Sequence, residues 1–159
     1  MKKIIIRIIL LLLLFGTFFI IFGFSNQNGE ESSGISRKVT VMITDKILKL
    51  SNDKKMQIFD RMESIIRKIA HFSIYTIVGM LLMGFFSTYQ IEEMGRIYIS
   101  IVIGIIYATS DEIHQAFIPN RSAQLTDVMI DTMGVLLGIC LILLILKIVS
   151  IRIHKSCRI

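Results

Sequence analysis

Residues Ile4–Phe24 form a 21-residue apolar stretch, with Lys2, Lys3 and Arg7 at its leading end. A bilayer core is crossed by about 20 such residues as a helix. Lipid offers backbone N–H and C=O groups no hydrogen-bond partner, so a lone spanning segment must be helical. The stretch therefore reads as an uncleaved membrane anchor. A cleaved signal peptide shares the basic leading end. This run is long for such a peptide's apolar region, however, and Phe22-Gly23-Phe24-Ser25 is not a small-x-small cleavage site.

Further apolar runs follow at Ile69–Phe86, Ile97–Ala108 and Val128–Ile148. The third run of the chain, Ile97–Ala108, has only 12 residues and is too short to cross alone. A helix continued to Ile118 does cross, and it carries Asp111, Glu112, His114 and Gln115 into its outer part. Pro119-Asn120 ends it, because proline cannot extend the hydrogen-bond ladder. Thr126 or Asp127 can cap the last helix. The expectation is an all-α integral membrane protein, one domain over 1–159, with spans near 4–24, 69–86, 97–118 and 128–148. Composition agrees: 53% hydrophobic residues and a mean hydropathy of +0.70 exceed the roughly 45–50% apolar usage of soluble domains.

The 25–68 connection reads as an amphipathic helical loop. Ser25–Ser36 is a polar break, after which Ile35, Val39, Met42, Ile43, Ile47 and Leu50 recur at helical spacing between charged residues. Such a helix lies on the membrane surface or covers other parts of the protein. Ser51-Asn52-Asp53 resembles a cap, and Met56, Phe59, Met62, Ile65, Ile66 and Ile69 lead into the second span.

The net charge of +6 clusters at the termini and in this loop. Membrane topology and anionic-lipid attraction explain that distribution better than nucleic-acid binding. An even number of spans puts both termini on one side, and seven Lys and Arg at those ends place them in the cytoplasm. The loop carries nine, but the dozen residues after the first run carry none. Cys140 and Cys157 make neither a disulfide framework nor a CxxC metal site.

Between the last two runs stand Asp111-Glu112-Ile113-His114-Gln115, Pro119-Asn120-Arg121, Asp127 and Asp131. Charges beside lipid are costly and mark function. Helical spacing puts Asp111 on one face with His114 and Gln115, with Tyr107 a turn before. Asp127, Asp131, Gly134 and Gly138 form a second stripe, whose glycines allow a neighbouring helix to come close. Arg67, His71 and Tyr75 form a third, with Gly79 beyond. The three stripes are expected to converge inward, where each charge finds a partner.

Several chemistries fit this set. One is a structural network of Arg67, Lys68 or Arg121 against Asp111, Asp127 or Asp131. A metal could take His71 and His114 with Asp111, Asp127 or Asp131, although no HExxH spacing is present. For acid–base chemistry, His114 would move a proton beside a carboxylate. Arg67, Lys68 and Arg121 could instead hold the phosphate or carboxylate of a lipid-linked precursor. An ion-coupled carrier is the least economical reading for four spans. No GxSxG nucleophile motif occurs, and Ser110 reads as a packing residue. The candidate catalytic groups are Asp111, Glu112, His114, Asp127 and Asp131. The candidate ligand-binding groups are Arg67, Lys68, His71, Tyr75, Gln115 and Arg121. No cofactor is assigned.

These residues resemble the VanZ-like family of membrane proteins. The resemblance rests on Arg67-Lys68-x-x-His71-x-x-x-Tyr75, Asp111-Glu112-x-His114-Gln115, Pro119-x-Arg121 and Asp127-x-x-x-Asp131-x-x-Gly134. Phe24-Ser25-x-Gln27, Gly29 and Ser33 are similar to the family's segment after its first helix. Asn120 and Ser122 stand where the family more often has glycine around the arginine. The resemblance implies a small bacterial cytoplasmic-membrane protein in contact with membrane lipids or a lipid-linked envelope precursor. From the family's founding member it also implies lowered susceptibility to teicoplanin, more than to vancomycin.

Overall fold

The computed structural model describes residues 1–26, 52–119 and 123–156. The surface helix expected near 35–50, Ser51 and Arg121 lie outside them. Among the described residues there are four helices: α1 (Lys2–Ser25), α2 (Asn52–Phe86), α3 (Glu93–Gln115) and α4 (Leu125–Ser156). All four are long and apolar enough to cross a membrane, with spans at Lys2–Ser25, Ser64–Phe86, Glu93–Gln115 and Leu125–Arg152. Each expected span is thus present, with no bound shifted by more than five residues.

The amphipathic stretch before the second span is continuous with it. α2 runs for 35 residues, about 52 Å at 1.5 Å per residue, well beyond a hydrocarbon core of about 30 Å. The segment before Ser64 therefore projects past the membrane-crossing part. α3 stops at Gln115, short of the expected Ile118. Phe117 and Ile118 donate backbone bonds to His114 and Gln115 at 3.0 and 3.1 Å, an i to i−3 pattern that tightens the chain into turns. Pro119 disfavours a helical conformation at Ile118, which accounts for the early stop. α4 begins at Leu125, ahead of both cap candidates. Asp127 sits in its first turn, where a carboxylate complements the positive end of the helix dipole.

The most extensive contact in the bundle joins α2 to α4. Glycines make it possible. A Cβ on Gly138 would meet the Thr76 carbonyl and lie 2.7 Å from Met80 N, and one on Gly134 would lie 2.5 Å from Phe72 O. The two backbones touch, as small residues permit between membrane helices. Gly104 of α3 faces Val135 of α4, where an added Cβ would lie 2.7 Å from Cγ1. The core is Tyr75, Val78, Leu82, Met83, Ala108, Val135 and Ile139, with Leu14 and Ile21 from α1.

Outside this core the helices expose long rows of Ile, Leu, Phe and Met, above all along α1. In water such a surface would aggregate; in lipid it is the expected exterior. α1 docks by few contacts. Arg7 Nε donates to Thr88 Oγ1 at 3.0 Å and its Nη2 to Thr88 O at 2.8 Å, with the guanidinium 3.8 Å above the Tyr89 ring. Nearer the other end, Tyr107 Oη donates to Phe18 O at 2.8 Å while the two rings stack at 3.9 Å.

Gly138→Ala forces apart a backbone contact and is expected to cost about 1–3 kcal/mol, the usual range for overpacking. Gly16→Ala adds a Cβ with nothing within 4 Å and should leave stability unchanged or slightly higher. Thermal unfolding of both variants in one detergent checks the contrast.

Candidate functional site

Helix polarity brings the C-terminal end of α3 and the N-terminal ends of the α2 and α4 spans together. On this side the polar side chains form a ladder running inward. At its rim Lys68 Nζ of α2 lies 3.4 Å from Asp127 Oδ1 of α4, both side chains partly exposed. One turn deeper, His71 Nδ1 lies 3.6 Å from Asp131 Oδ2. The two pairs repeat because His71 follows Lys68 by three residues and Asp131 follows Asp127 by four, each spacing one helical turn.

Asp111 of α3 completes the inner rung. One ligand atom each from His71, Asp111 and Asp131 lies within 4.8 Å of the other two. Asp131 is 0% exposed and Asp111 5%. Gln115 Nε2 donates to Asp111 Oδ2 at 3.0 Å and fixes that carboxylate from the next turn. Neither oxygen of Asp131 accepts a hydrogen bond among the described residues, and the buried Tyr75 hydroxyl likewise has no partner there. Tyr75 continues the ladder inward, its ring centroid 6.5 Å from His71 and 6.2 Å from Tyr107.

Helical spacing therefore identified the stripes, and the bundle brings them to one place. It also separates residues that the spacing had grouped. His114 lies off the inner rung, stacked on Phe22 of α1 with centroids 4.7 Å apart. It sits three residues from Asp111, but its ring is directed to a different neighbouring helix. Glu112 is 3% exposed and accepts a bond from the Gln124 backbone N–H at 3.0 Å through Oε2. That contact ties the end of α3 to the start of α4. Asp127 stays at the rim with Lys68. Arg67 is half-buried on α2, and no ion pair involves it among the described residues.

Residues that the sequence reading did not single out also shape the site. Phe18 and Phe22 cover Tyr107 and His114 from α1, and Gln124 receives Glu112. Partners 89 residues apart, such as Tyr107 and Phe18, leave no local signal. An aromatic in an apolar run reads only as lipid-facing or core.

Four apolar helices around an inner rung of one imidazole and two carboxylates define a small multi-pass helical membrane protein with a polar site between three of its helices. The family model described as VanZ/LLP1 matches residues 8–147, and the chain belongs to that family. No curated protein and no solved structure matches it.

Proposed function

We propose that this chain is a bacterial cell-envelope protein whose polar site binds a lipid-linked envelope component and thereby lowers susceptibility to teicoplanin-type glycopeptides. In this reading the termini are cytoplasmic and the ladder opens outward. The observation that carries it is the inner rung of His71, Asp111 and Asp131, held within 4.8 Å. Burying two carboxylates is expensive, by several kcal/mol per ion even after relaxation. Membrane helices that only needed to pack would be more stable with apolar residues there. Lys68 at the rim, with Arg67 beside it in sequence and Arg121 in the segment between Gln115 and Asp127, supplies positive charge suited to a phosphate or pyrophosphate headgroup. The exposed apolar helix faces suit the lipid tail.

A second reading gives the same site a reaction, hydrolysis or transfer of a phosphate or acyl group on such a lipid. The 3.6 Å approach of His71 Nδ1 to Asp131 favours it. A carboxylate beside an imidazole orients the ring and fixes which nitrogen carries the proton, as proton transfer to a leaving group requires.

Expression in a susceptible Gram-positive host should raise the inhibitory concentration of teicoplanin. His71→Ala, Asp111→Asn and Asp131→Asn should abolish that rise at unchanged membrane abundance. Unaltered susceptibility with the parent chain would refute the reading, and abundance falling in step with the phenotype would make the cluster structural. Topology is tested separately with Ala123→Cys, an exposed position between α3 and α4, in a chain with Cys140 and Cys157 replaced by Ser. An impermeant thiol reagent should label it in intact cells. Labelling only after lysis would place the ladder's mouth in the cytoplasm.

A further inference from the structure

Three different helices contribute one side chain each to the inner rung: His71 from α2, Asp111 from α3 and Asp131 from α4. The arrangement is more than a patch of acids. It combines a nitrogen donor with two carboxylates, and Asp131 is 0% exposed with neither oxygen hydrogen-bonded among the described residues. A carboxylate so placed needs a proton or a positive partner, which either a protonated His71 or a cation shared with it would supply. Lys68 is engaged by Asp127 at 3.4 Å, a turn away at the rim.

The separations carry the next step. His71 Nδ1 and Asp131 Oδ2 are 3.6 Å apart, beyond the 2.7–3.2 Å of an N–H···O hydrogen bond. Two donors bound to one tetrahedral cation at about 2.0–2.2 Å stand about 3.3–3.6 Å apart. His71 Nδ1 and Asp131 Oδ2 therefore stand as two ligands of a shared ion would, with a ligand atom of Asp111 within 4.8 Å of both residues' ligand atoms, and just beyond the length of a direct N–H···O hydrogen bond. The bond from Gln115 Nε2 to Asp111 Oδ2 at 3.0 Å is the kind of outer contact that orients a ligating carboxylate.

We infer that His71, Asp111 and Asp131 bind a divalent transition-metal cation of the Zn²⁺ or Mn²⁺ class. One imidazole and two carboxylates form a borderline-to-hard donor set suited to these ions. Two carboxylates and a neutral imidazole carry a charge of −2, which a divalent ion cancels in a low-dielectric setting. Three protein ligands leave a coordination position for an oxygen donor, water or a phosphate oxygen. His114 and Asp127 do not take part. The site stands on its own geometry and does not depend on the lipid-linked ligand proposed above.

The test uses the full chain in detergent, stripped with chelator and titrated with Co²⁺ alone. One equivalent should bind with visible d–d absorption, and Zn²⁺ should displace it. His71→Ala and Asp131→Asn should weaken uptake at least tenfold, and Gln115→Ala by roughly 10- to 100-fold, as outer-contact losses do. His114→Ala and Asp127→Asn should bind as the parent does. Should an inner-rung variant fail to fold, as judged by helical circular dichroism, the parent titration decides together with Gln115→Ala. Absence of Co²⁺ uptake by the folded parent would overturn the inference and leave a protonated His71 as the counter-charge to Asp131. Uptake that survives His71→Ala and Asp131→Asn, or is lost in His114→Ala, would overturn it as well.

Discussion

Backbone contact between α2 and α4 is the constraint on which the rest of the molecule depends. In lipid, apolar side chains gain little by leaving their surroundings, so helices associate through close packing and hydrogen bonds. Gly134 and Gly138 let α4 press against the backbone of α2, close enough that an added Cβ at either would collide with it. This seam starts one turn below Asp131. Its closeness brings His71 and Asp131 to 3.6 Å and Lys68 and Asp127 to 3.4 Å across the same interface. A wider separation would part both pairs at once.

The remaining helices complete what the seam begins. α3 packs on Val135 through Gly104 and delivers Asp111 to the inner rung. α1 meets the flank of the site through Phe18 on Tyr107 and Phe22 on His114. Its far end is held by Arg7 on the turn between α2 and α3. α1 acts as a cover over one flank of the polar site and otherwise presents apolar side chains outward. The polar groups are thus shielded from lipid on several sides, while the ladder leads from the half-exposed Lys68 and Asp127 to the buried Asp131.

Much of this was legible in the sequence because helical periodicity is a property of local geometry. The apolar runs fixed the spans to within a few residues. The i, i+4 spacing put Asp127 and Asp131 on one stripe and Arg67, His71 and Tyr75 on another. What spacing cannot give is the rotation of each helix about its axis against its neighbours. Asp111 and His114 share a broad face of α3, yet Asp111 meets α2 and α4 while His114 meets α1. Arg7 looked like a charge flanking an anchor and instead clamps a turn 81 residues away. The polar Glu112 reads as a site residue, and its observed partner is the backbone of Gln124. Such pairings arise from tertiary packing, and no local pattern carries them.

The central claim is that the buried carboxylates serve a ligand and not the fold. The most direct measurement is the unfolding midpoint of Asp131→Asn against the parent chain, both stripped with chelator in the same detergent. Asparagine keeps the shape and removes the buried charge. If Asp131 is held for function, the variant unfolds at a higher temperature than the parent. If Asp131 instead anchors the bundle through an ion pair with His71, the variant loses about 3–5 kcal/mol, as breaking a buried pair does, and the midpoint falls. A fall of that size would contradict the account.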